Sequence, residues 1–170
     1  MYFVGKVVRM SLPPLPELIT LDSCNGDWNN YLNTIYDIFC DEIVKSRISF
    51  LGLPVKCQYR PETQGKHFGF WHLISEGHSE EDRTPDFRRC ERIRWISYII
   101  NNSDSKEIHC WENKRGSNRH IVLWLPEEKF VVVLARRKEY VMLKTAYVHH
   151  ERKTSKFEKE SRKLPDPRND

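Results

Sequence analysis

Four arginines fall within seven residues of the stretch "TPDFRRCERIRWISYIINN": Arg88, Arg89, Arg92 and Arg94. Guanidinium forks suit bidentate recognition of phosphate, so a cluster of this kind can hold a phosphodiester backbone. Arg88 and Arg92 are four residues apart and adjacent on a helix surface, with Trp95 just beyond them. Arginine beside an exposed aromatic fits RNA, whose bases splay out and stack on rings. The plainer alternative is a solvated basic face whose aliphatic stems cover apolar surface.

A second set of candidates flanks this stretch. "GKHFGFWHLIS", Gly65 to Ser75, places His67 and His72 in aromatic surroundings. Histidine titrates near neutrality and suits a general base, although one among apolar neighbours equally fits a core position. Read as a strand, this segment puts His72 on one face with Lys66, Phe68 and Phe70, and His67 on the other. Lys66 and His72 are then roughly 20 Å apart unless the strand bends at Gly69. In "YVMLKTAYV", alternation puts Thr145 and Tyr147 on one face with Val141 and Leu143. The two hydroxyls can donate to an anion, and both residues are also good strand formers.

These side chains need a scaffold. The chain has 170 residues and a net charge of +4, enough for one core and compatible with, without demanding, a nucleic-acid partner. Its five cysteines, Cys24, Cys40, Cys57, Cys90 and Cys110, are odd in number and none has CxxC spacing. That argues against a disulfide framework or a zinc site and for a reducing, cytoplasmic setting. No apolar run reaches the roughly 18 residues of a membrane span. Lys6 and Arg9 interrupt the apolar N-terminus, unlike a signal peptide.

Residues 11–18, "SLPPLPEL", read as an extended arm. Asp27 caps a helix to Arg47 with an apolar stripe from Trp28 to Ile43. "SFLGLPVKCQY" reads as a short strand that Pro54 confines to an edge. Thr84 caps the arginine helix, with Phe87, Cys90, Ile93, Ser97 and Ile100 on its buried face. "EIHCWEN", "RHIVLWL", "FVVVLARR" and "YVMLKTAYV" follow as a hairpin-linked meander with "FVVVL" central. A charged tail begins at His149, helical in its first half and frayed after Pro165. The expected architecture is α+β: an antiparallel meander sheet of four to five strands with helices packed on one face, leaving the other free to bind. Residues 1–60 form an arm and helix packing on a core of 61–150, and 151–170 form the tail.

The order of a "HFGFWHLI" strand, an arginine-rich "DFRRCERIRWI" helix, a meander with a "HCWEN" strand and the closing "FVVVLARRKEYVMLKTAYVHH" resembles phage-type ribonucleases of the barnase–EndoU–colicin–RelE (BECR) group across Gly65 to His150. The closing hydrophobic strand, short turn and "TAY" are its most specific part, and residues 1–60 lie outside it. The resemblance implies a BECR/RelE-like fold and a metal-independent endoribonuclease, toxin-like, without a cofactor. It implies catalysis by His72, Arg92, Thr145 and Tyr147, with His67 as the second histidine. RNA contacts would come from Lys66, Arg88, Trp95, Arg115, Arg119 and Lys144. RNA is the implied partner, with room for an antitoxin or immunity protein and none for a membrane. A non-catalytic nucleic-acid-binding or phage accessory protein using the same helix and sheet face is the alternative.

Overall fold

The structure, a computed structural model, describes residues 11–170. The first ten residues of the expected N-terminal arm, including Lys6 and Arg9, lie outside the described residues. The fold is α+β, with a six-stranded sheet in the order β1-β2-β8-β7-β6-β5. The strands are β1 Ser49–Phe50, β2 Leu53–Lys56, β5 His109–Arg115, β6 Asn118–Leu125, β7 Phe130–Arg136 and β8 Val141–Val148. A separate two-stranded ribbon joins β3 Ser75–Glu76 to β4 Thr84–Pro85. The four-strand meander β5–β8 is antiparallel, as its spacing predicts, and β7 lies inside the sheet. The sheet departs from a pure meander because β2 joins β8 in parallel through Val55–Val141 and Lys56–Met142. "SFLGLPVK" thus supplies an edge hairpin, and Pro54 sits in it opposite Ser49.

Helix α1, Trp28–Phe39, starts where Asp27 accepts a hydrogen bond from the Asn30 amide at 3.1 Å. It buries Tyr31, Leu32, Ile35 and Phe39 and runs on through a π-helical turn, Cys40–Val44.

Two segments differ from the sequence reading. The first is "FGFWHLI", which forms helix α2, Phe68–Ile74, and not a strand. Aromatic content favours strands, but Phe70, Leu73 and Ile74 also satisfy helical spacing, and all three are buried. Tertiary contact decides between the two: the Gly69 amide donates to the Gln58 carbonyl at 2.8 Å, and any Cβ at Gly69 would collide with the Cys57 sulfur. The strand parity that separated His67 from His72 therefore does not apply.

The second is the arginine helix, which breaks in two. Helix α3 spans Phe87–Glu91 and α4 spans Ile93–Asn101, with Arg92 between them at φ −101°, ψ 20°. Asp86, not Thr84, is the cap, accepting from the Arg88 amide at 2.9 Å, because Thr84 is already paired in β4. Phe87 is consequently exposed, while α4 buries Ile93, Trp95, Ile96, Ile99 and Ile100.

The main core lies between α1, α2, α4 and one sheet face. Helices are not confined to that face. Helix α5, Thr154–Lys163, brings Phe157 onto the opposite face against Trp111, Trp124 and Val131. Buried His149 closes this cluster, accepting from the Trp124 indole at 3.0 Å and stacking on Phe157. The C-terminus is pinned where the sequence suggested fraying. Arg168 donates to the Ser103 and Ile108 carbonyls at 2.7 and 2.8 Å, and Asp166 holds its other edge at 2.7 Å.

Candidate nucleic-acid interface

Strand pairing sorts the sheet residues into two faces. Val132 and Leu134 belong to the main core, Val131 and Val133 to the other side. Along β8, Leu143 pairs with Leu134 but Thr145 pairs with Val133, so Lys144 is an extra residue, a β-bulge. The bulge reverses the alternation. Val141 and Leu143 face the main core, joined by Ala146, whereas Thr145 and Tyr147 turn to the opposite face. The expected common face for all four is therefore corrected, and the bulge is what gives Thr145 and Tyr147 access to solvent.

That opposite face is closed at one end by α5 and open at the other. Asn113, His120, Val122, Val133, Met142 and Tyr147 are all half-buried along it. Arg115 follows by pairing with Asn118, two residues before His120. Burial pulls His120 below its ordinary pKa, and the positive charges of Lys144, Arg115 and Arg137 add to that fall. These three cations thus gather near one histidine. Among the described residues none of them is ion-paired to a carboxylate.

The margin of this face is built by α2, α3 and β8. Strand β2 pairs only with the start of β8, and α2 and α3 pack against the rest. Arg89 is the link. One guanidinium nitrogen donates to the Thr145 hydroxyl at 3.3 Å and to the His72 carbonyl at 3.4 Å. The guanidinium carbon lies 5.6 Å from the Tyr147 ring centre, and Nε lies 3.7 Å from Asp86. Its side chain is only 12% exposed, and Nε makes no hydrogen bond among the described residues. Burial pulls this guanidinium below its ordinary pKa, with Asp86 and Glu76 opposing. Arginine remains charged under such a pull. Burial pushes the Tyr147 phenol up, against the pull of Arg89, so at neutral pH it keeps its proton.

His72 stands in the last turn of α2. Its Nε2 meets Glu80 at 2.9 Å, and the Glu80 carboxylate lies on the loop between β3 and β4. Arg83 braces the same corner, donating to the Ser75 carbonyl at 2.7 Å, the Ser75 hydroxyl at 3.2 Å and the His72 carbonyl at 3.4 Å. Burial lowers the His72 pKa first, and Arg83 and Lys144 lower it further against Glu80. The imidazole is therefore neutral at pH 7.

Of the residues singled out in the sequence, Thr145 and Tyr147 meet Arg89 through their side chains, and His72 meets it through its main-chain carbonyl, with its ring turned to Glu80. Arg92 does not join them: it donates to the Arg88 carbonyl at 3.0 Å, covers the Trp95 ring at 5.0 Å and lies 3.6 Å from Glu91. Trp95 is buried and its indole donates to the Pro16 carbonyl at 2.8 Å, so it offers no ring to a base. His67 accepts from or donates to the Tyr36 hydroxyl at 2.8 Å, and Lys66 sits over the Tyr36 ring at 5.3 Å. Both belong to a separate cluster between α1 and α2. Arg88 is exposed beside its own cap, 4.0 Å from Asp86. Arg119 lies on the helix-covered face, 2.7 Å from buried Glu112. Arg115 and Lys144 remain exposed on the open face.

Arg89, Arg83 and Glu80 were missed. The sequence signal for Arg89 was membership of the arginine cluster, and what singles it out is its position three residues after Asp86 once Asp86 is known to be the cap.

No group of three or more His, Cys, Asp or Glu among the described residues is placed to hold a metal ion, and all five cysteines are free thiols. No helix among the described residues is long and apolar enough to cross a membrane. No family model, no curated protein and no solved structure matches this chain.

Proposed function

We propose that the open sheet face binds RNA and that the cluster at its margin cleaves it without a metal ion. The observation that carries this reading is Arg89: a mostly desolvated guanidinium bridging the His72 turn to Thr145 and Tyr147, beside a face whose cations have no carboxylate partner among the described residues. The likeness to BECR ribonucleases supports it only through the closing strands and "TAY", because the element expected as the first strand is helix α2.

The chemistry follows from protonation states. With Nε2–H donated to Glu80, the Nδ1 lone pair of His72 is the free base. It takes the proton of a ribose 2′-hydroxyl; that oxygen attacks the adjacent phosphorus, and the bond to the 5′-oxygen breaks. Arg89 stabilises the charge that builds on the phosphoryl oxygens. Thr145 orients the phosphate, and Tyr147, still protonated, hands its proton to the departing 5′-oxygen. The products are a 2′,3′-cyclic phosphate and a 5′-hydroxyl. A cytoplasmic setting and an antitoxin or immunity partner belong to the same reading.

Purified protein is expected to cut RNA in EDTA, leave DNA intact and yield cyclic-phosphate ends by mass spectrometry. Loss of activity in EDTA with recovery on magnesium overturns the metal-free mechanism. The pH profile has a fixed sign. A base with a lowered pKa is competent above that value, so cleavage holds on acidification past the ordinary histidine value of about 6.5 and falls only below it.

A second reading is binding without cleavage. The His72 carbonyl, rather than its ring, meets Arg89, and Glu80 occupies one ring nitrogen. RNA bound in a salt-dependent manner with no cut at any pH selects it.

A further inference from the structure

A pocket of about 450 Å³ is lined by Glu80, the carboxylate that holds His72. That volume falls in the roughly 300–1,000 Å³ range of small-molecule sites. Its walls are rings from two helices, Trp28 of α1 and Phe68 and Trp71 of α2, and its polar lining includes Glu80, Glu81 and Arg83. Trp28 is set edge-on between Tyr31 and Phe87, each 5.9 Å away. The Trp71 indole N–H is already donated to the Thr63 carbonyl at 2.8 Å. What the rings offer is stacking surface. What the carboxylates offer is hydrogen-bond acceptors, and Arg83 is already engaged with Ser75 and His72.

A planar ring with N–H groups on one edge satisfies both features, and every nucleobase presents such an edge. The placement matters as much as the chemistry, because Glu80 both lines the pocket and holds His72 at 2.9 Å. We propose that this pocket takes an unstacked nucleobase of the RNA next to the cleaved linkage, its ring against Trp28, Phe68 and Trp71 and its N–H edge toward Glu80 and Glu81. The proposal rests on the RNA-cleavage reading for its substrate and gives α1 a role in recognition. The phosphates stay on the side of Arg89 and Lys144, away from the acidic rim.

Tryptophan fluorescence reads the pocket directly. Trp95, Trp111 and Trp124 are buried, whereas Trp28 and Trp71 line the pocket. Titration with the four ribonucleoside 3′-monophosphates is expected to quench saturably, and ribose 5-phosphate is expected not to. Trp28→Ala is expected to weaken nucleotide binding by about 5- to 150-fold, the loss of one base–aromatic stack. Glu81→Gln, on an exposed loop and no threat to folding, is expected to weaken it as well. Equal binding of ribose 5-phosphate and nucleotides, no saturable quench, or affinities untouched by both substitutions overturns the pocket assignment. The readout needs no turnover. Quenching without cleavage retains the pocket and removes the nuclease, and cleavage without base-dependent binding does the reverse.

Discussion

The two faces of the sheet both carry arginines, and they use them differently. On the helix-covered face, Arg119 of β6 and Arg136 of β7 converge on Glu112 of β5, at 2.7 and 3.8 Å. Glu112 is 4% exposed, and its charge is met within the protein. On the open face, Arg115, Arg137 and Lys144 act on one histidine, and none of them is ion-paired to a carboxylate among the described residues. Arginines that close on a buried carboxylate serve the fold. Cations left facing water around a half-buried sheet surface are disposed toward an anion from outside. Arg89 stands at the boundary, desolvated like the first group yet with Nε unbonded among the described residues.

The sharpest way to break this contrast is to remove one arginine from each side. Arg89→Ala is expected to cut RNA cleavage by about 10²–10³-fold, the usual loss of one transition-state donor. Arg89→Lys is expected to restore only part, since an ammonium lacks the planar fork that grips two phosphoryl oxygens at once. Arg119→Ala is expected to leave cleavage unchanged. Equal losses from Arg89→Ala and Arg119→Ala, with matching falls in melting temperature, would mean that both arginines are structural.

Glu112→Ala tests the other half of the comparison. Breaking a fully buried ion pair costs about 3–5 kcal/mol. The Arg119 and Arg136 side chains are 42% and 28% exposed, so water screens part of the loss. About 2–3 kcal/mol is expected, or about 4–12 °C in Tm for a chain of this size. RNA affinity measured on the folded protein should not fall. A Tm within a degree of wild type would show that the Glu112 cluster holds nothing together.

This division was only partly legible in the sequence. The meander could be read because its strands are long, β-branched and separated by short turns, and those signals are local. The first helix was legible for the same reason, with a capping Asp27 and a regular apolar stripe. "FGFWHLI" was not, because seven residues satisfy either period and the contact of Gly69 with Cys57 and Gln58 decides the outcome from outside the segment. The site was half legible. His72, Thr145 and Tyr147 were visible as residue types. The sequence pointed to Arg92, where the structure places Arg89 beside them. That choice depends on a helix cap displaced by a two-stranded ribbon and on a bulge at Lys144, neither of which leaves a compositional trace. Pairing of Arg119 with Glu112 depends likewise on hairpin register.

The smallest expected effects refine the comparison one cation at a time. Each open-face cation that replaces a counterion on single-stranded RNA contributes about 0.7 to the slope of log K against log salt. Lys144→Ala, Arg137→Ala and Arg115→Ala are each expected to flatten that slope by about this amount and to weaken binding alike across sequences. Arg119→Ala should leave the slope unchanged, because its guanidinium is already committed to Glu112. Lys144 is the most informative of the three. It occupies the bulge that turns Thr145 and Tyr147 outward, and its charge reaches both His72 and His120. Removing that positive charge relieves one of the influences that lower the His72 pKa, so the acid limb of the cleavage profile should move to higher pH in Lys144→Ala. A flattened salt slope with an unmoved acid limb would place Lys144 on the RNA path and take His72 out of the chemistry. A moved limb with an unchanged slope would do the opposite, and only both shifts together join the open face and the cleavage cluster into one site.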